Sequence, residues 1–346
     1  MQKRVLGIAA VAGLLAISAA LALAQETVAP EYKWVKGDTA RYKMTIEKLQ
    51  KVAGTQQGEA TDNRFYIWRQ EVTDVAADGT ATVQAKFESA GDHLQIPSQK
   101  VDFTYDPANP DDEKRKASPL AIPYTAIIGE SITFKLNKKG KLQAVTGFDT
   151  LTKKVLDEMK AAPNGASYLP FAQDSLGDLL ECQMEGLFRL LPEKPVKPGT
   201  LYRKAKVREP HPVLGSLIFE TDYTLAGSEP FQGDDSFKFT YATSRTVEIP
   251  AAGAAAPPPS PSNGKLSDAK GSGEFYLSKS KGIVTKNSFQ FGMTTETPAP
   301  AAAGGTPGTI STREDLKTVV ELAPAEGAPA APAAPPAAPP AEGQPK

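Results

Sequence analysis

Enzymes and metal sites show in a sequence as histidines, a nucleophile or clustered carboxylates at spacings that let them act together. This chain has 346 residues, two histidines (His93 and His211) and one cysteine, Cys182. Neither histidine stands at a zinc-type spacing from another ligand. His211 lies between Pro210 and Pro212, which suits a solvated loop better than general acid–base work. The acidic pairs Asp111-Asp112 and Asp234-Asp235 fall in turn-like polar stretches without the further oxygen ligands a calcium site needs. There is no Gly-x-Ser-x-Gly elbow, P-loop or dinucleotide fingerprint. The expectation is a non-enzymatic protein with no catalytic, metal or cofactor site. Cys182 excludes an internal disulfide, and an exposed thiol could pair between chains. A helical wheel places it with Asp178, Glu185 and Arg189.

The ends of the chain bear on where the protein works. Met1-Gln2-Lys3-Arg4 is a short basic segment, Val5 to Leu23 is apolar, and Ala22-Leu23-Ala24 fits small-x-small cleavage. Residues 1–24 therefore read as a signal peptide, with a periplasmic or extracellular destination. The run is long enough to span a bilayer as an anchor, but its Ala-rich composition and cleavage site favour removal. No later run could cross a membrane. The tail at 323–346 holds Ala, Pro, Gly and Glu with no aromatic residue, and is expected to be disordered. A formal charge of −1 suggests neither nucleic acid nor an anionic membrane surface as partner.

Between these ends the pattern is that of strands. Glu130 to Phe148 reads as a β-hairpin: Ile132, Phe134 and Leu136 alternate with polar residues, Asn137 to Gly140 turns, and Leu142 to Thr146 returns. Strands are also read at Tyr42 to Ile46, Arg64 to Val72, Thr80 to Glu88 and Gln95 to Tyr105, the last interrupted by Pro97. Two helices are expected. Thr150 to Lys160 has a cap at Asp149, and Gln173 to Leu191 carries a stripe of Leu176, Leu180, Leu187 and Leu191 with Asp174, Asp178 and Arg189 opposite. The hairpin then recurs at Gly273 to Gly282, and the opening Val35-Lys36-Gly37-Asp38 is echoed by Val196-Lys197-Pro198-Gly199. This reads as an internal duplication. The tip lysines Lys138, Lys139, Lys141, Lys279 and Lys281 are expected to keep the turns soluble, with an anionic partner as the less favoured reading.

The fold class expected is mainly β: curved antiparallel sheet from a duplicated unit, with two central α-helices. The halves are 31–148 and 195–322 within a domain at 25–322, joined by helices across 150–191, with disordered loops at 251–262 and 298–308. The Val-x-Gly-Asp opening, the Phe134-x-Leu-x-x-x-Gly hairpin and the Pro195-Val196-x-Pro198-Gly199 segment resemble a family of secreted bacterial proteins of unknown function. That resemblance implies a fold and carries no functional residue. A weaker likeness, of architecture only, is to periplasmic lipoprotein carriers, which hold acyl chains between sheet and helices. The expected function is binding of a lipid or other apolar ligand between sheet and helices, lined by Leu176, Leu180, Leu187, Phe134 and Phe219. The alternative is a structural or protein-interaction role in the bacterial envelope, with an envelope protein as partner.

Overall fold

Twelve strands, alternately dry and wet, form one antiparallel sheet. The computed structural model describes residues 26–54, 58–211, 215–247, 264–298 and 308–323. The expected leader, the loop at 251–262, nearly all of the loop at 298–308 and the tail beyond Ala323 lie outside the described residues. The side chains of Cys182 and His211 do too.

In chain order the elements are β1 (Thr39–Ala53), β2 (Gly58–Val75), β3 (Ala81–Ile96), β4 (Val101–Tyr105), α1 (Ile122–Thr125), β5 (Ser131–Leu136), β6 (Leu142–Thr146), α2 (Phe148–Ala161) and α3 (Leu169–Leu187). The second half follows as β7 (Thr200–His211), β8 (Gly215–Phe231), β9 (Asp234–Val247), β10 (Lys265–Ser278), β11 (Val284–Pro298) and β12 (Thr309–Leu322). The sheet order is β6-β5-β3-β2-β1-β12-β11-β10-β9-β8-β7, with β4 doubling back on β3 beyond the Pro97–Gln99 turn. Proline supplies no ladder N–H, so β3 ends at Ile96 instead of running on.

The two halves are meanders of the same order, β1-β2-β3-β5-β6 and β7-β8-β9-β10-β11, with β12 wedged between β1 and β11. They agree in register as well. Gly37 N–H donates to Val72 O at 2.8 Å, and Gly199 N–H to Leu225 O at 2.7 Å. Val72 faces Val83 and Leu225 faces Phe239, and a bulge follows each pair. Phe134 pairs with Val145 in the first hairpin, Phe275 with Asn287 in the second.

The helices cover one face of the first half. Beneath them lies the main core: Tyr42, Met44, Ile46, Tyr66, Trp68, Phe87, Ile132 and Phe134 from the sheet, Leu151, Val155 and Met159 from α2, and Leu176, Leu179 and Leu187 from α3. A second cluster in the other half joins Tyr32 and Leu191 to Leu225, Phe239, Tyr241, Phe275 and Leu277. The opposite face of the sheet carries charge pairs such as Glu47–Lys317, Lys204–Asp222 and Lys206–Glu220, so it faces water.

Both helices depart from the sequence expectation. Asp149 is not the cap of α2: Gly147 holds that position at φ +90° with Asp149 inside the first turn. The chain there doubles back so closely that a Cβ on Gly147 would meet Ser131 O at 2.6 Å, which only glycine avoids. The second helix starts and stops about a turn earlier than expected. Pro170 fits its first turn, where no N–H is needed. At its end Tyr32 Oη donates to the Leu187 and Arg189 carbonyls, both at 3.0 Å, and Leu191 N–H turns to Lys139 O at 3.0 Å. Tertiary partners therefore satisfy the terminal carbonyls before Pro192 is reached.

The hairpin tips are more than soluble caps. Lys139 is 7 % exposed; its Nζ donates to Pro30 O at 3.0 Å and pairs with Glu31 at 3.1 Å. Lys279 pairs with Asp235 at 2.7 Å over the Phe237 ring. Both tips tie the chain together.

Candidate functional site

The helix-bearing face of the sheet continues into the second half, where no helix among the described residues lies over β7–β9. Inward phase there belongs to Ala205 and Val207 on β7, Phe219, Thr221 and Tyr223 on β8, and Tyr241, Thr243 and Arg245 on β9, partners in register. Phe289 and Phe291 continue the row on β11. The rings neighbour one another in series: Tyr223–Tyr241 at 5.7 Å, Tyr241–Phe289 at 5.7 Å and Phe289–Phe291 at 6.3 Å between centroids. They lie low because β10 offers glycines below them. A Cβ on Gly273 would meet the Tyr241 ring at 2.3 Å, and one on Gly271 the Phe291 ring at 2.8 Å. Glycine in a strand interior marks such a close approach.

Two cavities open on this face. One, of about 390 Å³, is bounded by β7–β9 and the Phe188–Leu190 segment. The other, of about 500 Å³, lies between α3 and β1, β11 and β12, over Leu94, Ile96, Phe291, Met293 and Leu316. They share Arg189, Arg245 and Phe289, so they form one trough. Both volumes fall within the ~300–1,000 Å³ usual for small-molecule sites. Arg189 is 5 % exposed; it donates to the Tyr241 hydroxyl at 2.9 Å and lies 4.3 Å over that ring. The Arg245 guanidinium is sandwiched between Phe219 at 4.0 Å and Phe291 at 4.1 Å. Cations over ring faces are attracted by the ring quadrupole, so these arginines are held as part of the wall.

At the far wall a charge cluster fastens α3 to the sheet. Arg64, 2 % exposed, binds Asp62 through both carboxylate oxygens, Asp178 at 2.8 Å and Asp174 at 3.3 Å. Lys48 pairs with Asp178 and with Asp174 at 3.2 Å. Burial pushes the Asp178 carboxyl up and leaves it above its ordinary value. Burial acts the same way on Asp174, but Lys48 and Arg64 override it and hold that group low. Beside them Asp92 accepts from Tyr124 Oη at 2.9 Å; burial first, then the charge of Asp62, pushes its pKa to about 8. A neutral Asp92 can share its proton with a neighbouring carboxylate, which two like charges could not do. Among the described residues no group of three or more His, Cys, Asp or Glu is placed to hold a metal ion.

The residues expected to line a ligand are not brought together. Leu176, Leu187 and Phe134 lie in the main core at 3 %, 3 % and 1 % exposure. Leu180 is half-buried. Phe219 borders the smaller cavity, in the other half. The buried arc of α3 is rotated from the expected stripe toward Ala172, Ser175 and Leu179. The cause is the charge cluster: Asp178 is turned to Lys48 and Arg64, and Asp174 reaches both from the rim. Phe239 lies in the second cluster with Leu191. A signal for the missed residues was present. Arg64 shares strand phase with Tyr66 and Trp68, and Arg245 with Phe239 and Tyr241.

Comparison with known proteins adds little chemistry. A family model described as a family of unknown function (DUF6263) matches residues 78–230, the stretch from β3 through the helices to β8. A search of curated proteins found no match. Among solved structures, one titled as lipid–protein interactions in lipovitellin aligns at 10 % identity over 86 % of this chain and 27 % of its own, with a TM-score of 0.36. The chain thus spans about a quarter of that protein's length. A DUF1329 family protein from Desulfovibrio piger aligns at 10 % identity, over 82 % of this chain and 87 % of its own, with a TM-score of 0.11. Likeness this low carries no argument about fold or ligand. No helix among the described residues is long and apolar enough to cross a membrane.

Proposed function

We propose that this is an exported, non-enzymatic protein that binds an apolar ligand in the trough of the second half. The observation that carries the reading is the pair of joined cavities lined by Phe219, Tyr241, Phe289 and Phe291, one over β7–β9 and one between α3 and the sheet. Aromatic lining in a concave site favours apolar occupants, with a few polar groups to orient them. Export rests on the leader-like residues 1–24, and places the work in the periplasm or outside the cell.

The ligand site is thereby moved from the α3 leucines to the neighbouring half. The test is native mass spectrometry of protein purified from its own envelope, followed by titration with a fluorescent fatty-acid probe. A co-purifying small molecule, or saturable probe binding, is the expected result. Absence of both leaves the trough a structural hollow. In that case the remaining reading is an envelope interaction protein, whose contact surface would be the open β7 edge with Leu201 and Val207 exposed.

A further inference from the structure

The charge around the smaller cavity is one-sided. The smaller cavity is lined by Lys141, Arg189, Arg203 and Arg245, and no carboxylate stands among its described lining residues. The larger cavity carries its acids on the α3 wall, at β12 and at Asp62 of β2, and its apolar lining is Leu94, Ile96, Phe291, Met293 and Leu316. The trough therefore has a cationic end beside an apolar floor.

Strand β7 shows that the one-sidedness is not an ordinary feature of a charged edge. On its outer face each lysine meets an acid of β8: Lys204 lies 3.4 Å from Asp222, and Lys206 3.0 Å from Glu220. On the inner face Arg203 lies opposite Tyr223, and neither it nor Lys141 has an ion-pair partner among the described residues. Both are exposed, so both can meet a ligand's charge at the mouth. Deeper in, the guanidinium groups of Arg189 and Arg245 are kept in place by tyrosine hydroxyls and aromatic faces. A cluster of one sign at a water-poor rim attracts and orients the opposite charge.

Resting on the proposed binding function, we infer that the ligand is a single-chain amphiphile with an anionic head group, carboxylate or phosphate. The head sits at Lys141 and Arg203, and the chain runs past Phe289 onto Phe291 and Met293. Arginine can grip either head through two parallel hydrogen bonds. The apolar floor beyond Phe289 takes methylenes, which gain from leaving water.

The test is isothermal titration of the full chain with laurate, dodecyl phosphate, dodecanol and dodecyltrimethylammonium, all below their micellar concentrations. Both anions, or one of them, should bind about tenfold or more tightly than the alcohol, and the cation least. Which anion binds identifies the head group. Raising the salt should weaken the anions and leave the alcohol unchanged. The double variant Lys141→Glu/Arg203→Glu changes two exposed residues and should remove the anion preference while alcohol binding persists; its melting curve checks the fold. Equal binding of anion and alcohol, or an unchanged preference in the double variant, overturns the head-group inference and leaves the carrier reading standing. Failure of all four compounds overturns both.

Discussion

One row of the sheet can be followed through both halves. In the first it reads Tyr42, Trp68, Phe87, paired in register across β1, β2 and β3 and 0–1 % exposed. In the second the corresponding row is Ala205, Thr221, Thr243 on β7, β8 and β9. Trp68 and Thr221 each stand four residues before the valine or leucine that receives the glycine N–H of the opening turn. The strand order and the opening turn thus match and the side-chain volume does not. Where the row is large, α2 and α3 seal it. Where it is small, Thr221 Oγ1 and Thr243 Oγ1 bond each other at 3.0 Å and a trough remains above them. A meander of this kind can serve as core or as binding surface, according to whether three inward positions fill the space.

The largest effect should come from emptying the filled row. Trp68→Ala should lower unfolding free energy by about 3–5 kcal/mol in urea titrations, the cost of a large core cavity, whereas Thr221→Ala should cost less than about 1 kcal/mol. Equal costs would break the comparison.

A second test uses the charge cluster between α3 and the first half. The Asp92 carboxyl is raised to about 8 in the folded protein and stands near 3.9 when unfolded. The folded state therefore holds the extra proton between those values, and stability falls as pH rises from about 4 to about 8. Asp92→Asn should match the parent at pH 4 and exceed it at pH 9 by on the order of 5 kcal/mol. A variant with the parent's full pH slope would show that Asp92 is ionised in the folded protein.

The smallest change in stability should accompany the most informative change in binding. Thr243→Phe places in the second half the ring that Phe87 supplies in the first. It should alter stability by less than about 1 kcal/mol, because the space above it is open, yet abolish probe uptake. Retained uptake would move the ligand elsewhere.

Much of the architecture was legible before the structure because strands advertise their faces. Ala81, Val83, Ala85 and Phe87 alternate in sequence and are all buried at 2 % or less, since the side-chain period of a strand is two and one face is dry. The hairpins were legible through Gly140 and Gly282, both at positive φ, because a tight turn selects glycine locally. The mainly β class, the antiparallel pairing and two helices follow from such short-range signals.

What only the tertiary structure decided was which surfaces meet. Helical periodicity names an apolar arc but not its angle to a sheet. The angle of α3 was set by Lys48 and Arg64, more than a hundred residues earlier in the chain. The helix end was set by Tyr32, equally remote. The open half is of the same kind. Each of Thr221, Thr243 and Ala205 is an unremarkable strand residue alone. They line a hollow because register aligns them beside Phe219, Tyr241 and Arg245, and because α2 and α3 are packed on the other half. Local chemistry determines an element and its faces. A cavity is a property of distances between elements, and those are fixed by contacts far apart in the chain.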